Sequence, residues 1–221
     1  MIEKAFDDLQ IMFAEQAARA ERMVEDAIRV LVEKDKKLAE KVIAEEEPLC
    51  NRLEKEIEAK AIEIIALHEP KAGEMRKIVS IIKANKDLER IGDQAVNIAE
   101  YTLYLIPRRQ VKPLIDIPRM AKIAQGMIAK SIDAFLQKRV EDAQEVLRTD
   151  DLVDDLEEQI MRELITYMAS DPATIERSLK LLFISRNIER IGDLAMNIAE
   201  EVIYYITGND VKHPGLTEEG S

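Results

Sequence analysis

The stretch ERIGDQAVNIAE at residues 89–100 returns as ERIGDLAMNIAE at residues 189–200, with ten of its twelve positions identical. Ile91, Ala95 and Ile98 recur at the step of an amphipathic helix, and at about 100° per residue Glu89, Asp93, Asn97 and Glu100 gather on the opposite side. The second copy puts Glu189, Asp193, Asn197 and Glu200 on the same wheel. For a single pair of acids four residues apart, a solvated polar face is the ordinary reading. Here the paired carboxylates repel, and a glycine inside a helix costs up to ~1 kcal/mol against alanine. Exposed polar positions are the ones most free to drift, so their match in both copies points to a task for the polar side.

Working outward, Phe6, Leu9, Phe13, Ala17, Ala20, Val24, Ala27 and Leu31 step by three and four and predict a helix over 2–33. A break at 34–36 leads into KLAEKVIA, and Pro48 is expected to open a fresh helix that runs to His68. Past Pro70 and Gly73 the next helix carries the phrase to about 106. The stretch PRRQVKPLIDIP, with prolines 107, 113 and 118, reads as the linker. The pattern then starts over: helices over 118–139 and 140–148, another from Asp150 to Ser170, and a last one from Asp171-Pro172 to Thr207, capped by Gly208-Asn209. The tail HPGLTEEGS is expected to be loose.

The halves overlay. Leu53-Glu54 matches Leu156-Glu157, Glu69-Pro70 matches Asp171-Pro172, and Glu89 matches Glu189, at separations of 103, 102 and 100 residues. An internal duplication of three principal helices each follows, and short connections make neighbours antiparallel. The expected fold is therefore all-α, two tandem antiparallel three-helix bundles: 1–107, a linker 108–117, 118–208, and a tail 209–221.

A second acidic stripe stands on the preceding helix of each half, Glu47, Asn51 and Glu54 in the first, Asp150, Asp154 and Glu157 in the second. Spacing at i, i+4 and i+7 keeps each trio on one face. Packed antiparallel against the repeated phrase, these oxygen donors would form a shallow acidic groove in each half, the first weaker by its asparagine. Oxygen-only ligands select hard or borderline ions such as Mg²⁺, Ca²⁺, Mn²⁺ or iron. The carboxylate di-iron bundles need Glu-x-x-His on two helices, and neither His68 nor His213 has that spacing.

Other chemistry is thin. Forty-four acidic against 32 basic residues give a net charge of -12, which repels nucleic acid and anionic lipid. Cys50, the only cysteine, excludes an internal disulfide and reads as a small apolar residue; His68 reads as a helix-end cap. The acidic N-terminus lacks a signal peptide's pattern and no run is long enough to span a membrane, so the expected location is the cytoplasm, without membrane insertion.

The paired phrases LERIGDQAVNIAE and IERIGDLAMNIAE, each preceded by a segment such as DDLVDDLE (150–157) or EPLCNRLE (47–54), resemble the PhoU family of phosphate-uptake regulators over residues 5–207. The resemblance implies two three-helix bundles and a non-enzymatic protein that restrains phosphate uptake and the starvation response. Its implied partners are the ATPase of a phosphate ABC transporter and a sensor histidine kinase, with homodimers in some members. It also implies metal ions, iron, Zn, Mn, Mg or Ca, on Glu89, Asp93, Glu189, Asp193, Asp150, Asp154, Glu47 and Asn51. Glu100, Glu200, Asn97, Asn197, Glu54 and Glu157 stand in a second tier. The competing readings are a carboxylate-bridged metalloenzyme and a metal-free helical scaffold.

Overall fold

The computed structural model describes residues 2–209 and 211, so His213 and most of the tail lie outside the described residues. Helix α1 (Ile2–Glu33) turns at Lys34, whose φ of 59° is left-handed, and Asp35 caps α2 (Lys36–Lys41) by accepting from the backbone N–H of Lys37 and Leu38. The chain then stays helical through a π turn (Val42–Glu46) into α3 (Glu47–His68). Helix α4 (Ala72–Leu105) carries the first phrase. Irregular chain leads to α5 (Asp116–Gln137), α6 (Val140–Ser170), a 3-10 turn (Pro172–Thr174) and α7 (Ile175–Thr207), closed by Gly208 at φ 77°. No strand occurs among the described residues, and no helix there is long and apolar enough to cross a membrane.

Pro48 stands in the first turn of α3, as expected of a helix start, but the backbone before it stays helical, because the wider π turn gives the proline ring room where a regular α-helix would clash. The buried positions show why that turn exists. Ala39 and Val42 correspond to Ala143 and Val146 at 104 residues, whereas Cys50, Ile57 and Ala61 correspond to Val153, Ile160 and Leu164 at 103. The first copy thus holds one residue more, and the π turn absorbs it. In the second half, 140–148 and 150–170 are one unbroken helix, since Thr149 caps nothing and instead donates its hydroxyl back to the Glu145 carbonyl.

Helices α4 and α7 pack against each other at the centre, with α1 and α5 beside them; α3 rides outside on α1 and α4, and α6 on α5 and α7. An aromatic cluster ties the halves, Phe13 against Phe135 at 4.9 Å and Phe135 against Tyr205 at 5.6 Å between ring centroids. Across the α4–α7 contact each of the equivalent tyrosines lies under a lysine of the other helix, Lys83 over Tyr204 and Lys180 over Tyr104, each 5.4 Å from the ring centroid. The linker is tied down by Lys112, a buried ammonium bonded to Asp116 at 3.0 Å and to Glu163 of α6.

Candidate functional site

Each copy of the phrase meets the acidic stripe of the helix before it. In the first half Asn85 donates to the Glu54 carbonyl at 3.0 Å, and Lys86 lies 3.1 Å from Glu89 and 3.8 Å from Glu54. One turn on, Gly92 faces Cys50, and beyond it Asp93 feels the field of Glu47. Residue numbers therefore fall on α3 as they rise on α4, the antiparallel register that brings Glu47, Asn51, Glu54, Glu89 and Asp93 to one groove. In the second half Gly192 faces Val153 and Asp150, and Asp150, Asp154, Glu157, Glu189 and Asp193 form the corresponding groove.

The approach is close enough to need a glycine at Gly92 and is ordinary contact at Gly192. A Cβ on Gly92 would stand 3.1 Å from Cys50 Sγ and 3.4 Å from the end of Met23; on Gly192 it would meet Val153 at 3.4 Å and Asp150 Oδ1 at 3.6 Å. Helix against helix at this distance half-buries the carboxylates and costs them water.

The electrostatics follow. Burial, then repulsion by Asp193, Asp154 and Glu157, pushes the Glu189 carboxyl up to about 7. Burial and the neighbouring Asp154, Asp193 and Asp151 push Asp150 up to about 6, and burial with Asp154 raises Asp193. In the first groove burial, Glu89 and Glu47 raise Asp93, while Lys86 opposes them. Asn51 Oδ1 is a buried acceptor there without a hydrogen-bond partner.

The register leaves the far end of each phrase outside. Glu100 lies seven residues past Asp93, about 10 Å along the axis. Asn97, Asn197 and Glu200 likewise fall past Glu47 and Asp150, where each acidic stripe ends. Sequence reasoning missed Lys86, a cation inside the first groove whose only signal was its place three residues before Glu89. It also missed Gln16, a fully buried amide on α1 that donates to Cys50 O at 3.1 Å and to Cys50 Sγ at 3.3 Å. Burial pushes the Cys50 thiol up to about 11, against which the Gln16 bond works. His68 closes α3, followed by Glu69 in the left-handed region at φ 47°.

Comparison with known proteins places this arrangement. The family model for the PhoU domain matches residues 13–102 and again residues 117–202. A phosphate-specific transport system accessory protein PhoU homolog of Aquifex aeolicus is 40% identical over 210 residues, covering 93% of this chain and 95% of that protein. The Pseudomonas aeruginosa protein of the same name is 35% identical over 96% of this chain and 87% of its own. Among solved structures, PhoU from P. aeruginosa superposes with a TM-score of 0.91 at 33% identity over 95% of this chain and all of that one. The phosphate transport system regulatory protein PhoU from Streptococcus pneumoniae superposes at 0.88 with 25% identity, over 96% and 99% of the two chains. With both repeats matched and the relatives covered nearly end to end, the chain belongs to the PhoU family.

Proposed function

We propose that this chain is a non-enzymatic cytoplasmic regulator of phosphate homeostasis, a monomer or homodimer that restrains phosphate uptake and the starvation response when phosphate is plentiful. Its partners in this reading are the ATPase of a phosphate ABC transporter and a sensor histidine kinase. The observation that carries it is the near end-to-end match to phosphate-specific transport accessory proteins, joined to a duplicated groove whose acids are half-buried against their own electrostatic preference.

Metal ions belong to the same reading. The donors fit in kind: Asp150, Asp154, Glu189 and Asp193 would hold an ion in the second groove, with Glu157 at its edge, and Glu47, Asn51, Glu89 and Asp93 in the first. Oxygen ligands of this sort suit hard or borderline cations, and a bound divalent or trivalent ion would turn mutual repulsion into coordination across two helices. Among the described residues no three acidic, cysteine or histidine side chains already converge on one point, so rotamers would have to close around an ion.

A cell carrying a phosphate-starvation reporter tests the proposal. Deletion of the gene should derepress the reporter at high phosphate, the wild-type chain should restore repression, and Glu189→Ala/Asp193→Ala should restore it poorly. Full repression by that variant would refute the role of the groove. Failure of the wild-type chain to retain either partner in a pull-down would refute the regulatory reading.

A further inference from the structure

In this acidic chain the surface around the linker carries the opposite sign, and one pocket there gathers three arginines. It measures about 420 Å³ and is lined by Tyr104, Arg108, Arg109, Ala173, Glu176 and Arg177, where the end of α4 and the linker meet the start of α7. Among the described residues none of the three guanidinium groups is ion-paired, in contrast to Arg19, Arg90 and Arg139, which each hold a carboxylate. Two of the arginines are instead held by backbone carbonyls. Arg177 donates to Arg109 O at 2.6 Å and to Ala173 O at 3.0 Å, while Arg108 donates to Tyr104 O and stacks its guanidinium 3.5 Å from the Tyr104 ring centroid. Side chains fixed in this way keep further N–H donors for a ligand and lose little entropy when one arrives.

The duplication supplies an internal control. Gly73 and Lys77 correspond to Ala173 and Arg177, and the pocket they line in the other half carries Glu3, Asp7 and Glu74 against Lys77 and Lys138. That pocket is acid-rich and its Lys77 is already bonded to Gln10 at 2.9 Å. The basic pocket sets three guanidiniums against one carboxylate, Glu176, which accepts a 2.5 Å hydrogen bond from the Tyr104 hydroxyl.

We infer that this pocket binds a phosphate-class oxyanion, either orthophosphate or the end of a short phosphoanhydride chain. Planar guanidinium forks match phosphoryl oxygens, and the pocket is roomier than one tetrahedral ion needs. That an anion binds follows from the arginines; that it is phosphate rather than another oxyanion rests on the function proposed above.

The test is calorimetric titration of the full chain, stripped of metal with a chelator so that no ion in the acidic grooves can bridge to phosphate. Orthophosphate, tripolyphosphate and sulfate are compared at matched ionic strength. Saturable binding of orthophosphate or tripolyphosphate is expected, the tighter of the two naming the source. Arg109→Ala/Arg177→Ala should weaken it about tenfold or more. Glu176→Gln, which removes the one opposing charge, should tighten it severalfold, a gain that misfolding cannot imitate. The inference fails if neither phosphate binds, if the arginine variant binds as the wild type does, if sulfate binds as tightly, or if an Asp/Glu-rich peptide binds there and phosphate does not. The reporter assay above is independent of this titration, so failure of one is not failure of the other.

Discussion

Lys86 stands 3.1 Å from Glu89 across one turn of α4, and the same ammonium reaches to 3.8 Å from Glu54 on α3, so the first groove carries its own cation. The equivalent Arg186 lines a pocket of about 250 Å³ with Glu157 and Glu189 yet ion-pairs with neither among the described residues. The two grooves therefore differ: the first holds an ion-paired ammonium, whereas in the second Arg190 only partly offsets the mutual repulsion of the acids.

Replacing Lys86 by alanine should make the first groove resemble the second. In a Glu189→Ala/Asp193→Ala background, Mn²⁺ titration should then report up to about fivefold tighter binding, the scale of a half-exposed ion pair. Unchanged affinity would show that Lys86 does not compete with metal.

The second groove sets an unusual pH dependence. Glu189 sits at about 7 and Asp150 at about 6, against 4.5 and 3.8 when unperturbed. Between those values the folded state binds more protons than the unfolded one, so these groups favour folding at the acid end and stability declines as pH rises from about 4 to about 7. Melting temperatures of metal-free protein should fall over that interval, and Glu189→Gln/Asp150→Asn should flatten the fall. A wild-type curve that the double variant reproduces would contradict this.

The glycines should respond differently to alanine. At Gly192 the added Cβ meets ordinary contacts from 3.4 Å, so Gly192→Ala should gain roughly 0.5–1 kcal/mol of helix propensity. At Gly92 it would press on Cys50 Sγ at 3.1 Å, a short side chain held by Gln16, which offsets that gain. Urea midpoints should rise for Gly192→Ala and stay level or drop for Gly92→Ala.

Cys50 should be chemically silent. It is 1% exposed and its thiol is pushed up to about 11, so thiolate is scarce and hidden at neutral pH. A thiol reagent at pH 8 should label it only after denaturant is added; prompt labelling of folded protein would reveal an opening between α1 and α3.

The duplication, the helix periods and the acids of both stripes are legible in sequence because each depends on spacing along one helix. Register between helices is not: it decides that Glu47 meets Asp93 and that Glu100 lies beyond the groove, and it is fixed by packing around Gly92 and Cys50. Pro48 marks the start of α3 in sequence, and only the fold shows that the widened turn before it keeps the chain helical. Lys112 read as part of a proline-rich linker, and only the fold reveals that it is buried between Asp116 and Glu163.

The π turn at Val42–Glu46 has a bearing on how such a duplicated chain tolerates change. One residue inserted into a regular α-helix rotates everything on one side of it by about 100° and slides it about 1.5 Å. Uncorrected, that rotation would swing either Leu38, Ala39 and Val42 out of the core or Glu47 and Asn51 away from their groove. The widened turn resets the helical phase within a single turn, so both ends of the rod keep their orientation. The acids of the first groove are thereby decoupled from length changes upstream, and one residue can be gained or lost there without re-aiming a carboxylate.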